Sequence, residues 1–119
     1  MVNKLLSFLG IARKSGNLIF GMDNIKKEML SGKVKLILTS SDISENSLNE
    51  IKNAANKHIV NILPIAYTKD NINDFLGKYS AIIGVLNENF ASKIIRIVYE
   101  TEFENSQPTT SESREECNL

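Results

Sequence analysis

Tryptophan is missing from this chain, cysteine and histidine occur once each, and 119 residues hold two prolines. Each scarcity excludes a class of protein. One cysteine, Cys117, cannot build a disulfide framework or a zinc spacing, and it stands one place too late for a prenylation signal. Apolar runs fall well short of the ~18 residues that a membrane span needs, and the first residues lack the basic, apolar, small-residue order of a signal peptide. A cytoplasmic protein is therefore expected. The lone His58 has no cysteine or carboxylate at ligand spacing, and no nucleophile is matched with a base, so neither an enzyme, a metal site nor a cofactor is expected. Gly16 and Gly21 have the outer spacing of a phosphate loop, but Met22-Asp23 stand where Lys-Ser or Lys-Thr is required.

What is present suffices for one core, since 42% of the residues are hydrophobic and a chain of this length folds as one domain. The zero net charge conceals a division: residues 1–99 hold 13 basic against 8 acidic side chains, whereas residues 100–119 hold 1 against 6. Residues 1–35 alone carry 7 basic and 2 acidic side chains. A basic body of this kind favours a polyanionic partner. From Thr101 onward the sequence turns to Ser, Thr, Glu, Asn and Gln, so the expected organisation is a domain over residues 1–100 and a disordered acidic tail over 101–119.

Apolar spacing predicts the elements. Leu5, Leu6, Phe8, Leu9 and Ala12 recur as on a helix capped by Asn3 and ended at Gly16, and Leu18-Ile19-Phe20 reads as a short strand. A second helix follows Gly21 and stops at Gly32, and residues 35–39 form a strand. Ser44 caps a third helix with Leu48, Ile51, Ala54 and Ala55 inward, and a strand over 60–63 is closed by Pro64. Thr68 caps a fourth helix that places Ile72, Phe75 and Leu76 inside before Gly77. Residues 81–85 are the last strand, and Phe90, Ile94, Ile97 and Val98 line the inner face of a final helix. Alternating helices and strands predict a three-layer α/β/α sandwich around a mixed four-stranded sheet.

Gly21 to Lys27, Gly-Met-Asp-Asn-Ile-Lys-Lys, is the stretch richest in chemistry. On a helix it puts Met22, Ile25 and Met29 on one side, Asp23, Asn24 and Lys27 on the other, and Lys26 nearer the apolar flank. First-turn N–H groups and the helix dipole make such a start receptive to a phosphate or an electron-rich base edge. The plainer reading is a solvated face on which Asp23 and Lys27 form an i,i+4 pair. Ser40-Ser41-Asp42, at a strand's carboxyl end, is likewise either a ligand edge or a polar turn leading to the Ser44 cap.

Taken in register, Ala12-Arg-Lys-Ser-Gly16, Gly21–Lys27, Gly32–Asp42, Leu76-Gly77 and Asn87-Glu-Asn-Phe-Ala91 resemble the kink-turn-binding ribosomal protein family named for L-seven-Ae and L-thirty-e. The small bacterial YlxQ-like branch is the nearest part of it. The resemblance spans about residues 3 to 99. It implies a monomeric, non-enzymatic RNA-binding protein of the translation apparatus, whose partner is a kink-turn-like RNA or rRNA with tandem sheared G·A pairs. Ribosomal proteins are further candidate partners, and a ribosome-associated protein-interaction module of the same fold is the alternative. The family motif Gly-x-Asn-Glu-x-x-Lys falls on Gly21, Asp23, Asn24 and Lys27, with aspartate at the asparagine place and asparagine at the glutamate place. Phe20 stands where the family commonly has a basic residue. Asp23 and Asn24 would contact guanine edges, Arg13, Lys14 and Lys27 would meet phosphates, Lys26 would belong to the same RNA-binding set, and Asn87 and Glu88, in the loop after the last strand, would pack against an extruded nucleotide.

Overall fold

The computed structural model describes residues 4–106, arranged as five helices and four strands in alternation. Helix α1 (Lys4–Lys14) leads to β1 (Leu18–Phe20), α2 (Met22–Leu30) to β2 (Leu36–Thr39), and α3 (Glu45–His58) to β3 (Ile62–Pro64). Helix α4 (Lys69–Leu76), β4 (Ile82–Val85) and α5 (Glu88–Ser106) complete the order. The sheet runs β1-β4-β2-β3, with β4 antiparallel to both neighbours and β2 parallel to β3.

Strand alternation divides the core into two. Leu36 and Leu38 of β2, with Ile83 and Val85 of β4, point to one face, where Leu5, Leu6 and Leu9 of α1, Ile72 and Leu76 of α4, and Ile94 and Ile97 of α5 cover them. Ile37 and Ile82 point to the other, against Ile25 and Met29 of α2 and Ile51 and Ala55 of α3. This is the predicted α/β/α sandwich. On the second face Gly84 has no side chain because none fits: a Cβ there would stand 3.0 Å from Ile19 and 3.1 Å from Ile25. Its absence lets α2 settle directly on β4.

The predicted caps at Ser44 and Thr68 are present. The Ser44 hydroxyl accepts from the Ser47 N–H at 3.2 Å, and Thr68 forms a reciprocal capping box with Asn71. Asn3 lies outside the described residues. Three expectations need correction. Strand β3 begins at Ile62 and includes Pro64, because α3 runs to His58 and Ile59 and Val60 close its end; at the sheet margin a proline without an N–H is tolerated. Phe75 is 62% exposed, since an eight-residue helix seats its inner seam on Ile72 and Leu76, four apart, and leaves Phe75 on the flank. Helix α5 continues six residues past residue 100, through Ser106, because adding one more hydrogen-bonded residue to a formed helix costs little. Residues 107–119 lie outside the described residues.

Candidate nucleic-acid interface

The start of α2 is set by Gly21. Its φ of 95° and ψ of 143° occupy a region open to glycine and strained for other residues, and no side-chain hydrogen bond caps the helix there. The turn is fastened instead by Asn24, whose Nδ2 donates to the Phe20 carbonyl at 3.0 Å. One amide hydrogen of Asn24 is thereby engaged, which leaves its other hydrogen and its Oδ1 to meet a partner. Asp23 and Lys27 are exposed and form no ion pair with each other among the described residues. The i,i+4 pair of the plainer reading is therefore not made.

The remaining cations are placed differently. The Arg13 guanidinium lies over the Phe20 ring, 6.0 Å from its centroid, so α1 supplies a positive charge immediately before Gly21 where the sequence itself has a phenylalanine. Lys26 is turned toward α3 and meets Glu50 at 2.6 Å. Lys14 is exposed in the last turn of α1.

Asn87 and Glu88 are not brought to this cluster. Because β1 and β4 are antiparallel, Phe20 lies opposite Ile83 while Leu18 lies opposite Val85, and the Leu86 N–H donates to the Asn17 carbonyl at 2.8 Å. The loop after β4 thus sits at the beginning of β1, and Gly21 follows its end. A four-residue strand, roughly 13 Å long, separates the two positions. The Asn87 Oδ1 is also engaged, accepting from the Asn89 and Phe90 N–H groups at 2.8 and 3.0 Å to start α5. What adjoins Gly21 instead is the segment that enters β4, residues 77–81. Its Tyr79 is 63% exposed with the Lys69 ammonium 5.7 Å from the ring centroid. Sequence reasoning missed this segment because no local signal reports that β1 pairs with β4.

The polar turn at Ser40–Asp42 is occupied with structure. The Lys69 N–H donates to the Asp42 Oδ1 at 3.0 Å, tying the turn to the first residue of α4, and the Ser41 N–H donates to the Tyr67 carbonyl at 2.8 Å. Desolvation pushes the Asp42 carboxyl up, but the nearby Ser40 hydroxyl, the Lys69 N–H and the Lys69 charge outweigh it, so the carboxyl lies below its ordinary value of 3.8. The Ser40 Oγ is enclosed without a well-formed hydrogen bond, so its effect on Asp42 is that of a nearby dipole. The two glycines with phosphate-loop spacing enclose β1 and form no loop. No group of three or more candidate metal ligands occurs among the described residues, nor does a helix long and apolar enough to cross a membrane.

A mixed four-stranded α/β/α sandwich, with a glycine-started helix presenting free polar groups at one sheet edge, is the class of protein these observations define. The chain belongs to the ribosomal protein L7Ae/L30e/S12e/Gadd45 family, whose model matches residues 3–95. It is similar to the "RNA-binding protein YlxQ" of Enterococcus faecium, 23% identical over 95 residues that span 80% of this chain and 91% of that protein. The protein of the same description from Bacillus subtilis (strain 168) is 24% identical over 95 residues, 76% of this chain and 90% of its own length. These relatives put the chain in the bacterial YlxQ-like branch. Among solved structures, a protein with unknown function from Bacillus halodurans C shares the fold at a TM-score of 0.74, with 22% identity, covering 82% of this chain and 98% of that one. The Giardia lamblia 15.5kD RNA binding protein shares it at 0.65, with 15% identity over 82% of this chain and 84% of its own.

Proposed function

We propose that this protein is a non-enzymatic RNA-binding protein of the translation apparatus that recognises a kink-turn-like internal loop through the α2 start. The observation that carries the proposal is the Gly21 turn: it projects Asp23, Asn24 and Lys27 from one rigid helix start, with none of the three charges or acceptors consumed by an ion pair. RNA duplexes hide their base edges in a deep, narrow groove, so sequence is read where bases are splayed or the helix is distorted. A helix start of this shape enters such a distortion. The Asp23 carboxylate and the Asn24 Oδ1 are both acceptors, which suits the N1–H and N2–H donors of guanine, while Lys27 and Arg13 neutralise phosphates. The segment 77–81, with exposed Tyr79 and Lys78, extends this face in place of Asn87 and Glu88. The relatives described as RNA-binding proteins support the same reading. It implies a protein that acts as a monomer in the cytoplasm, with rRNA or a ribosomal particle as its partner.

Isotope-labelled protein titrated with a stem-loop RNA carrying tandem G·A pairs tests the assignment. Amide shifts concentrated in residues 20–27 and 77–81 are expected, and shifts confined to any other face would refute it.

A second reading, a protein-interaction module, is favoured by one observation on the opposite face. A groove of about 660 Å³ between α1 and α5 is lined by the apolar Phe8, Ile11 and Ile97 together with the cations Lys4, Lys93 and Arg96. Ile11 is 57% exposed there.

A further inference from the structure

Asp23 and Lys27 face two ways: besides standing at the α2 start, they line an open groove of about 580 Å³ between α2 and α3. We propose that this groove carries the phosphate backbone of the RNA strand leaving the α2 start, with Lys57 as a second phosphate-neutralising group. The proposal rests on the reading of that start as an RNA site.

Charge within the groove decides the sign of the occupant. Lys26 and Glu50 meet at 2.6 Å and satisfy each other across it. Lys27 and Lys57 then remain against Asp23 alone, with His58 beside Lys57. Neither Lys27 nor Lys57 takes part in an ion pair among the described residues. An anion is therefore preferred over a cation, and an open groove fits a polymer backbone better than an enclosed small ion. Lys57 also lies in the last turn of α3, where a cation answers the helix's free carbonyls, so a purely local role must be distinguished from RNA contact. Leu30, 76% exposed on the α2 side, supplies apolar surface against which ribose can pack. Continuity is the second argument. A strand whose bases meet Asp23 and Asn24 and whose phosphate meets Lys27 is already at the mouth of the groove, with Lys57 farther in.

Two RNAs separate this role from the site itself: a stem-loop with the tandem G·A internal loop and a long flanking stem, and the same loop with that stem cut short. Dissociation constants are measured against salt for the full chain and for Lys57→Gln, Lys27→Gln and, as a control on the opposite face, Lys93→Gln. Lys57→Gln is expected to weaken the long-stem RNA about fivefold at 0.15 M salt and to reduce its salt slope by about 0.9, and to leave the short-stem RNA unchanged. Lys27→Gln is expected to weaken both, and Lys93→Gln neither. Equal behaviour of Lys57→Gln and the unaltered protein on the long stem, or an equal loss on both RNAs, overturns the groove proposal while leaving the α2 site standing. If the unaltered protein binds neither RNA, both readings fall together.

Discussion

The Asn24 side chain closes the turn at Gly21 by donating its Nδ2 to the carbonyl of Phe20, four residues earlier, at 3.0 Å. The contact holds the helix start next to the exposed Asp23, and it uses one of the two amide hydrogens of Asn24.

Gly21→Ala is expected to destabilise the fold by about 1–2 kcal/mol, because an L side chain at φ 95° is strained. Crowding contributes little: the nearest heavy atom to an added Cβ is the Asn24 Nδ2 at 3.9 Å. Thermal unfolding should show a loss of roughly 4–8 °C for each kcal/mol in a domain of this size. An unchanged midpoint would mean that the turn relaxes freely.

Asn24→Ala and Lys27→Ala should separate specificity from affinity. Losing the Asn24 oxygen should relax preference for the cognate loop by about 1–3 kcal/mol, together with about 1 kcal/mol of stability from the lost turn contact. Lys27→Ala should weaken all RNAs alike, flatten the salt slope by about one unit and leave stability within about 0.5 kcal/mol. Competition titrations with matched and mismatched RNAs read both effects, and a salt-independent affinity would count against the site.

Ile59 ends α3 in the left-handed region, with φ 57° and ψ 53°, where a β-branched residue is strained, and its side chain is 92% exposed. Ile59→Gly removes that strain without uncovering core and should stabilise the protein by about 0.5–1 kcal/mol, read as a higher denaturant midpoint. A lower midpoint would show that the isoleucine is held by contacts worth more than the strain.

Asp42 has a carboxyl below its ordinary value of 3.8 in the folded protein. A depressed folded value means that its contribution is fully present above that ordinary value and is lost as pH falls from there through the folded one. Asp42→Asn should therefore be less stable than the unaltered protein at neutral pH, and the difference should shrink as the two are compared in increasingly acid buffer. A difference that stays constant with pH would assign the effect to shape and not to charge.

Most of the fold was legible because its signals are local. Ser44, Thr68 and Gly77 announce helix ends through their own backbone chemistry, and the alternation of Leu36, Ile37 and Leu38 between two cores follows from the pleat. Where the outcome depended on distant partners, the sequence was silent. Phe75 has the right spacing for burial and lies outside only because α4 presents Ile72 and Leu76 to the core. Asn87 carries a polar side chain beside a motif resemblance, yet it serves as the cap of α5, and the pairing of Phe20 with Ile83 places it away from Gly21. Arg13 was expected among the phosphate contacts, but its place beside the turn comes from the ring of Phe20, which the sequence does not report.

The affinity of the full chain for a stem-loop RNA with tandem G·A pairs, set against the same RNA with that internal loop replaced by Watson–Crick pairs, tests the central claim most directly. At 0.15 M salt the bent RNA is predicted to bind at least about tenfold more tightly, a preference of about 1.4 kcal/mol, and that margin should disappear in Gly21→Ala. Equal affinity for the two RNAs, or a preference untouched by that substitution, would contradict the account.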